Sequence, residues 1–125
     1  MKKILLELEE EIYRWELQRL EIKKTRIDIA QRLKNIETDT AIKIYKAVDP
    51  QTNRPKYTNE TQRKTAVDKL LEMDIEYRQL KEKDNELDIQ SARLSVDIEH
   101  DKRLSAIERL EWETRAMLHR DHSEV

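Results

Sequence analysis

Leu8, Trp15, Ile22, Ile29 and Ile36 recur at every seventh position in a stretch, Lys2 to about Val48, that holds neither Pro nor Gly. A seven-residue period returns a side chain to one helical face every second turn, so the segment is committed to a long α-helix with a coiled-coil seam. Leu5, Ile12 and Leu33 take the companion seam position, which Arg19 and Arg26 interrupt. Leu6, Tyr13, Leu20 and Ile27 repeat at seven on a different face, joined by Leu17. A helix packed against one neighbour leaves one of these stripes in water, so the pattern predicts two neighbours.

Residues 49–60 read as a connection, because Pro50 and Pro55 each hold the preceding residue in an extended conformation. The preceding run Ile42-Lys43-Ile44-Tyr45-Lys46-Ala47-Val48 is β-branched and partly alternating, which admits a short β-ribbon as well as a plain loop. Asn59 with Gln62, or Thr58 with Thr61, supplies N-cap chemistry for a second helix over residues 61–118. There Ala66, Met73, Leu80, Leu87 and Leu94 repeat at seven, flanked by Leu70, Tyr77 and Ile98. Asp84 and Ser91 stand where the Leu70–Tyr77 row would continue, and past Ile98 the apolar set shifts to Leu104, Ile107, Leu110 and Met117. That change of phase predicts a stutter, a bend or a change of packing partner. Residues 119–125 read as a frayed tail.

The expected fold is therefore all-α: a long antiparallel helical hairpin forming one structural unit. The absence of Gly agrees, since P-loop, Rossmann and hairpin-rich β architectures all need Gly at tight turns or close to phosphate. The absence of Cys removes disulfides and thiolate metal sites and makes a cytoplasmic location the default expectation. Acidic residues arrive too early in Met1-Lys2-Lys3-Ile4-Leu5-Leu6-Glu7 for a signal peptide, and no run approaches the roughly 20 apolar residues of a membrane span.

Folding back at Asn53 sets Trp15 beside Ser91, Ala92 and Ser95, and sets a basic run that includes Arg19 and Arg26 opposite an acidic run that includes Asp84 and Asp88. At ~1.5 Å per residue the first helix is about 70 Å long and the second nearer 85 Å, so residues from about Lys102 to Leu118 are expected to overhang. Leu104, Ile107, Leu110, Trp112 and Met117 lie there and are costly to leave wet, at ~25 cal/mol per Å² of apolar area. Self-association is the inference: a homo-oligomer, either a dimer of hairpins making a four-helix bundle or a dimer of such dimers, with those five residues as its interface. A bend that folds the last third back is the rival explanation.

The connection carries the clearest charge bias. Between positions 43 and 64 stand Lys43, Lys46, Arg54, Lys56, Arg63 and Lys64 against only Asp49 and Glu60, although the chain as a whole has a net charge of -2. Tyr45 and Tyr57 lie among them, and basic groups interleaved with aromatics suit a phosphate backbone with unstacked bases. The candidate contact for DNA or an acidic protein is thus Lys43, Lys46, Arg54, Lys56, Tyr57, Arg63 and Lys64. The plainer alternative is a solvated loop whose tyrosines pack the ribbon.

Other signals are thinner. His119 and His122, beside Asp121 and Glu124, lack the further ligands a structural metal site demands. Asp97 and His100 have the carboxylate-x-x-His spacing of di-iron bundles, without a second such motif. No Cys nucleophile, Gly-rich loop or Ser-His-acid set is present, so no enzyme activity, cofactor, metal or small-molecule substrate is expected.

The segment Ala47 to Lys64, with Tyr57, Thr58, Asn59 and Glu60 leading to Arg63 and Lys64, resembles a turn found in small coiled-coil proteins of tailed phages and prophages. The chain differs in having no Gly in the turn and in Thr61, where that family has an acid. The resemblance implies a non-enzymatic protein encoded near recombination or single-strand annealing functions. The function expected is an accessory factor for phage-type DNA recombination or replication. The alternative is a phage or mobile-element inhibitor of a host nuclease or defence complex, acting by protein–protein binding.

Overall fold

The computed structural model describes residues 2–123, with side chains described from Lys3 to Arg120. It is all-α: α1 (Lys2–Lys46), α2 (Glu60–Met73) and α3 (Ile75–Ser123), with no strand among the described residues. The chain divides into two compact units. One joins the residues up to Lys23 with those from Ile89 on, and the other is Lys24–Asp88.

In the unit Lys24–Asp88 the contacts between α1 and the returning chain run antiparallel. Arg26 meets Asp84, Tyr77 meets Glu37 and Tyr45 meets Glu60. Ile29, Ile44, Leu71 and Leu80 form the buried apolar set, with Thr40 buried among the polar residues. The connection is tight. Val48 and Pro55 form an isolated antiparallel bridge, with Lys56 N–H donating to Ala47 C=O at 3.0 Å and Asp49 N–H to Arg54 C=O at 2.8 Å. The expected ribbon thus shrinks to one bridge, and Ile42 to Lys46 continue α1. Their β-branched side chains yield to the burial of Ile44, a case of packing overriding propensity. The turn closes without Gly because Asn53 adopts φ 57, a left-handed conformation that Asn tolerates better than most residues.

The second helix is not continuous from residue 61 to 118. Asp74 leaves the helical region at φ -76, ψ 113, and serves two termini at once. Its backbone N–H donates to Leu71 C=O at 3.2 Å, closing α2, and its Oδ1 accepts from Tyr77 N–H at 2.9 Å, opening α3. The break changes direction as well. Between the Tyr45–Glu60 and Glu37–Tyr77 bonds α1 advances eight residues, whereas the returning chain spends seventeen. A straight antiparallel helix would match α1 nearly residue for residue, so α2 runs at an angle to it. The turn past Asp74 also resets the seam. Leu71 is buried in α2, while the expected seam residues Leu70 and Met73 are exposed.

In the other unit α3 carries Ile98, Asp101 and Ser105 inward, at 1%, 5% and 8% exposure. α3 runs unbroken past Ile98, so the chain does not fold back at the phase change there. Leu8, Ile12 and Trp15 on α1 are half-buried. Symmetry about Asn53 would set Glu9 level with Ile98 and Glu16 level with Ser91. Instead Glu9 accepts a hydrogen bond from Arg109, and Glu16 lies 3.7 Å from Lys102. Trp15 is correspondingly level with the turn after Ile98 rather than with Ser91, Ala92 and Ser95. Arg19 takes that position, its Nη1 donating to Ser95 Oγ at 3.3 Å.

This register overturns the expected overhang as far as Arg109: Lys102 and Arg109 both have α1 partners. Leu104, Ile107, Leu110, Trp112 and Met117 are nonetheless exposed, with Leu110 at 65% and Met117 at 64%.

Candidate functional site: the basic connection and the groove beside it

The connection and the first turns of α2 gather the basic residues. Asn59 caps α2, its Oδ1 accepting from Gln62 N–H at 2.8 Å, while Gln62 Oε1 accepts from Thr58 N–H and Thr58 Oγ1, each at 3.1 Å. The cap runs from Asn59 to Gln62 N–H, one of the two pairs the sequence offers, while the Gln62 side chain reaches back to Thr58 rather than to Asn59. At the other end of the loop Asp49 Oδ1 accepts from Gln51 N–H at 2.9 Å. Both loop ends are thus pinned by side-chain bonds to backbone N–H groups, which holds the charged side chains on an ordered frame.

Not all of these charges are available to a partner. Arg63 donates from Nη1 to Glu60 Oε1 at 2.9 Å, and its guanidinium lies 4.7 Å from the centroid of the Tyr45 ring. Tyr45 in turn donates its hydroxyl to the same Glu60 oxygen at 2.8 Å. The hydrogen bond from Tyr45, then that from Arg63, hold the Glu60 carboxyl below its ordinary range. Tyr45 is thereby covered by a cation and anchored at its hydroxyl, so this ring acts as packing, as the plainer reading of the connection has it. Lys43, Lys46, Arg54, Lys56 and Lys64 remain exposed. Lys56 lies over the half-buried Tyr57, its Nζ 5.6 Å from the ring centroid.

Beside these residues a groove of about 660 Å³ runs along α2. Tyr57, Ala66, Leu70 and Met73 supply its apolar lining, Thr61, Gln62 and Thr65 its hydroxyl and amide groups, and Lys56 and Lys69 its positive edge. Met73 is 77% exposed, unusual for a methionine unless something covers it. The groove was not foreseen, because Leu70 and Met73 fit a seam as long as the second helix is taken to be continuous. Its signal in the sequence is Asp74 followed three residues later by the N–H it caps, a helix start without Gly or Pro.

The remaining candidates fall elsewhere. His100 has its Nδ1 3.6 Å from Asp101 Oδ1. No group of three or more His, Asp or Glu suited to a metal ion occurs among the described residues. The side chains of Asp121 and His122, and Glu124, lie outside the described residues. No described helix is long and apolar enough to cross a membrane.

Compared with protein-family models, curated proteins and solved structures, the chain has no match in any of the three.

Proposed function

We propose that this chain is a non-enzymatic binding protein: a self-associating helical hairpin that presents its basic connection and the adjoining groove to a DNA-processing protein, as an accessory of phage-type recombination or replication. The observation that carries the reading is the juxtaposition of an exposed apolar lining, Leu70 and Met73, with Lys56 and Lys69 on a segment rich in further Lys and Arg. An acidic surface with apolar anchors complements such a groove, the positive rim speeding encounter and the apolar floor supplying affinity. Protein is favoured over bare nucleic acid because Tyr45 and Arg63 are spent on Glu60 rather than left to stack on bases or reach phosphates. The resemblance of residues 47–64 to a phage coiled-coil turn supplies the recombination setting.

Met73→Glu combined with Lys69→Glu is expected to abolish co-purification with recombination proteins while leaving the helical signal intact. Arg54, Lys56 and Lys64 changed together to Ala test the nucleic-acid form: weakened single-strand DNA binding at low salt makes DNA the partner. Recovery of one stoichiometric host nuclease or defence protein in place of recombination proteins identifies the chain as an inhibitor and overturns the proposal.

A further inference from the structure

The groove along α2 carries charge of one sign. Lys56 and Lys69 line it, and no carboxylate does. Neither lysine is in an ion pair among the described residues. The carboxylates of the same helix are engaged elsewhere. Glu60 is held by Tyr45 and Arg63, while Asp68 and Glu72 line a separate recess with Leu71 and Tyr77, where Arg78 and Lys81 stand with them. The groove therefore offers two uncompensated positive charges beside an apolar floor.

The floor follows one face of a helix. Ala66, Leu70 and Met73 succeed one another at steps of four and three, and Ala66, the smallest of them, leaves room for a side chain from above. Such a row is what a second helix packs its own ridges against. From Gln62 to Met73 the wall is about 16 Å long at ~1.5 Å per residue, which matches about three turns of an opposing helix. An extended peptide fits less well. The N–H and C=O groups of α2 are bonded within the helix, and no strand edge is present among the described residues for a peptide to extend. Laid over Leu70 and Met73, an extended chain would turn backbone polar groups onto an apolar floor without partners, whereas a helix bonds its own.

We infer that the groove takes a single amphipathic helix of the partner, about three turns long. Its apolar residues, spaced i, i+4 and i+7, lie on Ala66, Leu70 and Met73, and its flanking Asp or Glu reach Lys56 on the connection and Lys69 on α2. This deepens the proposed binding role of the groove and rests on it. The apolar contacts supply affinity, and the two lysines reject a basic helix of equal amphipathicity.

A synthetic probe tests this against the full chain. The probe is a fluorescein-labelled peptide of about twelve residues, three helical turns, with Leu at i, i+4 and i+7, Glu on the flanks and Ala elsewhere, held helical by a hydrocarbon link. Its controls are a twin with Lys for Glu, a twin with Ser for Leu, and an unlinked twin with a central Pro. In anisotropy titrations at low salt the acidic helix is expected to bind, and each control to bind at least about tenfold more weakly. Lys56→Glu with Lys69→Glu is expected to reverse the preference between the Glu and Lys peptides, and Met73→Ser to weaken both. Binding of the Lys or Ser twin as tight as that of the acidic helix overturns the inference, as does a preference that the double Glu variant leaves unchanged. Equal binding of the Pro twin overturns it by making the occupant extended. An acidic helix that does not bind also overturns it. The proposed function is judged separately, by whether Met73→Glu with Lys69→Glu loses recombination proteins on co-purification: loss without peptide binding keeps that role and removes the helical occupant, and retention with peptide binding does the reverse.

Discussion

The Arg26 guanidinium holds the Asp84 carboxylate with two hydrogen bonds, Nε to Oδ1 at 2.9 Å and Nη2 to Oδ2 at 3.3 Å, and reaches Asp88 Oδ1 with Nη1 at 3.0 Å. Each of the first two residues interrupts an apolar row, Arg26 the companion seam of α1 and Asp84 the row through Tyr77. The two interruptions meet each other. An apolar seam can slide by a heptad and still be buried, but a planar fork fits its carboxylate in one register only. The pair therefore selects the alignment of these helices more than it adds stability.

Replacing Arg26 by Leu leaves Asp84 partly buried beside an apolar side chain and is expected to lower the urea midpoint at pH 7. Changing both residues to Leu is expected to recover it, since neither polar group then lacks a partner. The hydrogen bond from Arg26 holds Asp84 below the ordinary carboxylate range. A depressed folded value gives stability that is present above the unfolded value, ~3.9, and is lost as pH falls through the folded one. Wild-type stability should therefore drop on acidification below about pH 4, and the double Leu variant should lose that component. A midpoint for Arg26→Leu equal to wild type at pH 7 refutes the pairing.

Asp74 ends one helix and begins the next, so its loss affects two termini. Asp74→Ala is expected to cost about 1 kcal/mol, the usual loss for an N-cap, with Asp74→Asn close to neutral. Thermal melting followed by circular dichroism measures both. If Ala matched wild type, the α2–α3 break would owe nothing to this side chain.

The α1 pattern could be read to the level of individual faces, because a breaker-free heptad run leaves little choice. Ile29 is buried where the seam puts it, while Leu6, Tyr13 and Leu20 lie exposed on the second stripe. What could not be read was alignment. Apolar periodicity repeats every seven residues and is blind to offset, and it is blind also to the break at Asp74, whose capping role needs the position of Tyr77 N–H. The unseen groove follows from that missed break, which exposes Leu70 and Met73. The charge bias of the connection was plain in composition. That Arg63 spends its charge on Glu60 was not, since it depends on α1 delivering Tyr45 to the same carboxylate.

Asn53 makes the Gly-free turn possible, and its φ of 57 sets a clear order for substitutions. Asn53→Gly is expected to be neutral within a few tenths of a kcal/mol, whereas Asn53→Val should cost about 1–2 kcal/mol through the strain of a β-branched residue at positive φ. Urea melts rank the variants. A Val variant as stable as wild type would show that the turn rearranges instead of bearing strain.

Glu11 of α1 faces Asp101 of α3, whose side chain is 7% exposed and whose Oδ2 has no hydrogen-bond partner. Two carboxyl groups can share a hydrogen bond only while one holds a proton. Burial first, then the Asp101 charge and bond, raise Glu11 above its ordinary value; Asp97 adds to the rise and Arg14 opposes it. The His100 ring, 3.6 Å from Asp101, contributes a positive charge only when protonated. A raised folded value on an acid means that the folded chain holds the proton more tightly than the unfolded chain. The contribution of Glu11 to stability is then greatest below the ordinary Glu value, ~4.3, and declines as pH rises through the folded one, opposite in sign to that of Asp84. Glu11→Gln supplies a permanent N–H donor to Asp101, so it is expected to raise the urea midpoint at pH 7 and to change it little at pH 4. Repeating the series in a His100→Asn background separates the imidazole from the carboxyl pair, and the Gln effect should persist there. A lower midpoint for Glu11→Gln at pH 7 would mean that the ionised pair is satisfied by groups other than each other.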